Sequence, residues 1–166
     1  YHTDRLLYDM FSYPQHPLGL VPNVSGACDF AMYYSAWTKI SDVLIELGWV
    51  NQSEHMAYEA LEFIGDQPHI LRRLFLISIA KGETRAARTL LGALSRDLIQ
   101  GKWARQCLRR LEADPLLRSD PEVQQIRSIM LEKDPISHIA TDEILLQLLE
   151  KNRRNRMAFE YLMAHY

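Results

Sequence analysis

The stretch Ala36–Gly65, AWTKISDVLIELGWVNQSEHMAYEALEFIG, decides how this chain folds. Trp37, Ile40 and Leu44 recur at i, i+3 and i+7, the spacing of one apolar stripe on a helix. Gly48 follows the stripe and can take the left-handed conformation that ends a helix at little steric cost. Asn51 and Glu54 then offer a capping-box-like restart, with Asn in place of the usual Ser or Thr. Ser41 on the first helix and Ser53, Ala57 and Ala60 on the second are small, so two antiparallel helices can approach closely. A hairpin of this kind cannot bury its apolar face alone and must stack on neighbours.

The pattern returns once. Gly82 stands to its surroundings as Gly48 does, between an apolar helical segment and an Ala-containing one. The second unit keeps Leu71, Leu74, Gly82, Ala87 and Leu91, while Phe75 and Leu94 stand where small residues are expected. The step from Gly48 to Gly82 is the length of a tetratricopeptide repeat (TPR), whose signature begins W-x2-L-G-x2-Y over about 34 residues. Over about residues 36–98 the chain resembles that family. Trp37, Ile40, Ser41, Leu44, Gly48, Ser53, Ala57 and Ala60 carry the likeness; the family's late proline is displaced, Gly65 and Pro68 bracketing its place. The resemblance implies an all-α fold of TPR-like antiparallel helix-hairpin repeats, an α-solenoid. A plain helical bundle is the alternative, and it too is all-helical.

Glycine and proline punctuation supplies the remaining elements. A short helix follows Thr3, and Pro14, Pro17, Gly19, Pro22 and Gly26 mark an irregular connector. Helices are expected over Asp29–Leu47, Asn51–Ile64, His69–Gly82, Glu83–Arg96 and Lys102–Asp114, with Asp66 capping the third of these. In the helix from Lys102, the residues Trp103, Cys107, Leu108 and Leu111 point inward. Three Asp-Pro pairs (114–115, 120–121, 134–135) read as helix-start signals, and Asp120-Pro121-Glu122 opens a helix to about Glu132. Thr141–Glu150 and Asn155–Tyr166 complete the set. The expectation is a single domain over residues 1–166: an N-terminal helix and connector (1–28), two hairpins (29–98) and further irregular hairpins (99–166). Starting without methionine and stopping within an apolar helical pattern, the chain reads as a piece of a longer one.

The PQHP segment, the two repeats and the closing LLEKNRRNRMAFEYLMAHY resemble the soluble C-terminal region of an uncharacterised family of Bacteroidetes membrane proteins. That likeness implies a bacterial, membrane-tethered parent. Membrane association would then run only through regions absent from this chain, with the side of the membrane undetermined.

Charge and motif bound the chemistry. Net charge is −2, with residues 1–66 at −7, residues 67–118 at +7 and the remainder at −2. Such a polarity can steer a charged partner to the middle of the chain. Basic clusters (Arg96, Lys102, Arg105, Arg109 and Arg110; Lys151, Arg153, Arg154 and Arg156) are more simply wet helix faces, and no nucleic-acid partner is expected from a net-negative chain. Cys28 and Cys107 have no metal-like spacing and read as two small core residues, with a disulfide between them as the alternative. The six histidines show no H-E-x-x-H spacing, and phosphate- and dinucleotide-binding glycine motifs and a G-x-S-x-G elbow are missing. No catalytic residue, metal ligand or cofactor is expected, and the chain is read as a non-enzyme.

Carrying the TPR groove over by matching the two glycines gives Ser35, Thr38, Asp42 and Glu46 from the first unit. The second unit gives His69, Arg72, Leu76 and Ile79. The resemblance thus implies a groove with an acidic and a basic, apolar half, holding an unidentified protein or peptide. The leading expectation is a protein-interaction scaffold. The alternative is capture of a small ligand or glycan on a helical-repeat surface, and an enzyme would require a deep pocket with converging titratable groups.

Overall fold

The computed structural model describes residues 30–131 and 141–165; the side chains of 30–37, 141, 142, 144, 164 and 165 lie outside that description. The expected N-terminal helix, the proline-rich connector, Cys28 and Asp134-Pro135 also fall outside it. The described residues are all-helical. Eight helices follow one another: α1 Phe30–Leu47, α2 Val50–Ile64, α3 Pro68–Lys81, α4 Thr84–Leu94, α5 Gly101–Ala113, α6 Pro121–Ile129, α7 Thr141–Lys151 and α8 Arg156–His165.

Gly48 and Gly82 close their helices in the same way. Both have positive φ, 100° and 86°. The Gly48 N–H donates to the Ile45 carbonyl at 3.1 Å and Trp49 N–H to Leu44 at 2.9 Å. The Gly82 N–H donates to Ile79 at 3.1 Å and Glu83 N–H to Ser78 at 2.7 Å. The second bond of each pair is the six-to-one bond of a Schellman cap, which satisfies carbonyls the helix end leaves open. Burial repeats at the same offset. Leu44 and Ser78, Ile45 and Ile79, Ser53 and Ala87, Ala57 and Leu91, Ala60 and Leu94 are all 2% exposed or less. Phe75, bulky where a small residue was expected, is fully buried and meets Trp103 edge-on at 5.6 Å.

The chain divides into two compact units, and both divisions fall inside helices, after Ser53 in α2 and after Ser128 in α6. In the first, the hydroxyls of Ser41 and Ser53 join α1 to the start of α2. Ser41 Oγ donates to the Ser53 carbonyl at 2.9 Å, Ser53 Oγ donates to the Ser41 carbonyl at 2.7 Å, and the two oxygens are 2.9 Å apart. Val43 and Leu47 of α1 pack with Leu145, Leu148, Ala158, Tyr161 and Leu162 of the α7–α8 hairpin. Asn155 ties this together: its Oδ1 caps α8 at the Ala158 N–H, 3.1 Å away, and its Nδ2 donates to the Leu47 carbonyl at 3.2 Å.

In the second unit, α3 and α4 form an antiparallel hairpin and α5 packs on α4. On α5, Cys107 and Leu111 are buried as expected, with Ala104 one turn before them, while Trp103 and Leu108 are half-buried. Arg127 of α6 acts as a clasp, donating to the carbonyls of Ile79 at 2.6 Å, Ala80 at 3.3 Å and Leu116 at 2.8 Å. Asp120 caps α6 through the N–H groups of Glu122 and Val123.

Some boundaries differ from the sequence reading. Asp66 is exposed and does not cap α3: Gln67 holds the N-cap position, and Pro68 sets the first turn through its fixed φ. Asp114-Pro115 makes a turn, not a helix start, because the Asp114 carboxylate folds back onto the N–H groups of Leu116 and Arg118. The α6 helix stops at Ile129, before the expected Glu132. The α4 helix stops at Leu94, where Asp97 turns the chain by accepting from the N–H groups of Ile99 and Gln100.

Candidate functional site

The eight residues of the expected groove fall to both units, four to each. In the first unit, Ser35 lies among the undescribed side chains, and Thr38 and Asp42 are half-buried on α1. Glu46 is exposed and stands near enough to Tyr161 of α8 to add to the rise in that phenol's pKa. So α1 here turns toward α8.

In the second unit, His69 is exposed. Arg72 is half-buried and already engaged: its guanidinium lies 4.9 Å from the centre of the Trp103 ring and 3.2 Å from the Glu122 carboxylate. Leu76 and Ile79, at 4% and 0% exposure, are core residues and do not wall a groove. The reason is visible in α3 itself, buried almost continuously from Ile70 to Ala80, because a helix apolar on most sides belongs in a core. Strict matching on the two glycines also pairs Glu46 with Ala80 and not with Ile79, and Ala80 is buried too.

Burial raises the pKa of one thiol and two phenols. Burial raises the Cys107 thiol, with Arg110 opposing, and so disfavours the thiolate that nucleophilic chemistry needs. Burial, with Glu54 and Glu83 adding, raises Tyr58; burial and Glu46 push Tyr161 up to about 12. Among the described residues no group of three metal-ligating side chains converges. A hollow of about 590 Å³ opens over the first turn of α4, lined by Gly82, Glu83, Thr84, Arg85, Ala86 and Thr89. The basic clusters are partly spent on neighbours: Arg105 donates to the Ser95 carbonyl, Arg110 pairs with Asp120, and Arg156 with Glu160.

The surface holds apolar groups that no sequence motif marks. Leu98 and Ile99, at the turn between α4 and α5, are 100% and 85% exposed. The α7–α8 hairpin leaves Leu146, Phe159 and Met163 exposed, and Phe159 and Met163 are one turn apart on α8. The available signal was phase. Leu98-Ile99 sits between a helix end and the Gln100-Gly101 break, where no helical periodicity assigns it to a core.

No helix among the described residues is long and apolar enough to cross a membrane. No curated protein and no solved structure matches the chain. One family model does, from the first residue to the last: the chain belongs to the family of unknown function DUF6057, matched over residues 1–166.

Proposed function

We propose that the chain is a non-catalytic, TPR-like interaction module that binds an apolar helix or peptide of a partner protein, within a bacterial, membrane-tethered parent. The observation that carries this reading is the face of α8, where Phe159 and Met163, about half exposed, stand at i, i+4 beside a packed hairpin. Paired large apolar side chains at helical spacing are the anchors by which helix-in-groove and helix-on-helix recognition works. The TPR likeness is supported by the matching caps at Gly48 and Gly82 and by burial that repeats at one offset from each glycine. The non-catalytic reading is supported by the upward shifts of Cys107, Tyr58 and Tyr161, none of which prepares a nucleophile or base.

The binding surface proposed here is α8 and not the groove carried over from the repeat, since two of that groove's eight residues are core. The test is affinity capture from the cells that make the protein, with the wild-type chain and with the double variant F159E/M163E. A partner retained by the wild type, lost by the variant and re-bound when purified supports the reading. Capture of nothing specific, or of the same proteins by both chains, contradicts it.

A further inference from the structure

We propose that the turn between α4 and α5 is a docking tip for an anionic bilayer, seating Leu98 and Ile99 at the headgroup–acyl boundary with Arg96 and Lys102 against lipid phosphates. This goes beyond the partner-binding reading, uses a different part of the chain, and revises the sequence expectation that only absent regions meet a membrane.

The tip is built to hold its apolar side chains outward. Asp97 accepts from the Ile99 N–H at 2.9 Å and the Gln100 N–H at 2.6 Å, and its carbonyl accepts from Gly101 N–H at 3.0 Å. From the far side, the Arg105 guanidinium donates to the Ser95 carbonyl at 2.7 Å. Gly101 makes room for this closure: a Cβ there would lie 2.7 Å from the Ser95 oxygen. Leu98 and Ile99 therefore stay exposed on a fixed turn, with no chain left to order on binding.

Charge selects the surface. Arg96 and Lys102 flank the aliphatic pair and are exposed, while the one carboxylate of the turn, Asp97, is engaged by two backbone N–H groups. The unit Glu54–Ser128 carries twelve basic against ten acidic residues, so its positive character is local to such places. The 2.7 Å contact of Lys81 with Glu54 sets α2 antiparallel to α3, which brings Glu62 and Asp66 to the same end of the unit as the tip. Electrostatic attraction is thus modest, and binding depends on the aliphatic pair. A protein partner would need a pocket to receive a convex tip, and protein hot spots favour Trp, Tyr and Arg over a lone aliphatic pair. Aliphatic side chains at an apex flanked by cations are what interfacial insertion into an anionic leaflet requires.

The experiment is flotation of the chain with vesicles of phosphatidylcholine alone or containing about one third phosphatidylserine. The wild type is expected to float with the anionic vesicles and several-fold less with the neutral ones. L98D/I99D is expected to bind at least about ten-fold more weakly, since each aliphatic side chain contributes about that factor when buried. R96E/K102E is expected to lose the preference for phosphatidylserine. Both pairs are exposed, so the circular dichroism of the variants should match the wild type. The proposal is overturned if anionic vesicles float no protein, or if L98D/I99D floats as well as the wild type. It is equally overturned if the double variant abolishes self-association in sedimentation while vesicles bind neither chain, since the tip is then a protein interface.

Discussion

Replacing Gly48 by alanine should cost far more than the same change at Gly82, although both glycines end a helix at positive φ with the same hydrogen bonds. The backbone cost is common to both, about 1–2 kcal/mol for an L-residue held in the left-handed region. What differs is the space. A Cβ at Gly48 would lie 2.3 Å from the Ile129 carbonyl oxygen and 3.0 Å from Leu148 Cδ2, whereas at Gly82 the nearest atom is Leu116 Cδ2 at 3.9 Å. The obstacle at Gly48 is backbone. It is also held in place, because the Leu131 N–H donates to the Gly48 carbonyl at 3.2 Å, so the chain cannot yield cheaply. Overpacking adds about 1–3 kcal/mol, which gives roughly 2–5 kcal/mol for G48A against roughly 1–2 kcal/mol for G82A. Gly65, with φ 79° and nothing within 4 Å, serves as a control for the backbone cost alone. Urea denaturation followed by far-UV circular dichroism measures all three. Equal losses for G48A and G82A, within about 0.5 kcal/mol, would show that the segment at Ile129 does not cross the first turn as described.

Ser41 and Ser53 each donate their one hydroxyl proton to the other's carbonyl, so S41A or S53A alone should cost about 1 kcal/mol and the double variant about the sum of the two. A double variant that costs no more than either single change in that denaturation cycle would refute two separate bonds. Arg127 serves three carbonyls, and R127A should lose roughly 2–4 kcal/mol in the same assay. R127K should recover less than half, since an ammonium cannot reproduce the planar fork; full recovery would make the clasp a matter of charge alone. Tyr161 has a folded-state pKa raised to about 12, so its contribution is fully present below the unfolded value of about 10 and is lost as pH rises from there toward 12. Stability from this group should fall by about 1.4 kcal/mol per pH unit in that window, and Y161F should flatten the slope; an unchanged slope would contradict the assignment.

Helix existence was legible because it is written locally, in apolar periodicity and in glycine and proline punctuation. Gly48, Gly82 and Pro121 each stand where their conformational preferences place a helix end or start. The long-range contacts were not legible. Nothing near Asn155 announces a bond to the distant Leu47 carbonyl, and nothing near Arg127 announces the end of α3. The same limit hides the difference between Gly48 and Gly82, which lies in what crosses above each turn. The groove positions failed at Leu76 and Ile79 for a reason the sequence did contain, since α3 is apolar nearly all round and such a helix has no face to spare. Leu98 and Ile99 escaped notice because an apolar pair within a turn is invisible to a search for periodic stripes and catalytic motifs.

The central structural claim is that one helix–glycine–helix unit occurs twice, once around Gly48 and again around Gly82. Amide hydrogen exchange at Trp49 and Glu83, the donors of the two six-to-one bonds, tests it most directly. Both amides should be protected far beyond the rates of an unstructured chain. Free exchange at either one, with the other protected, would mean that the two turns are not the same structure.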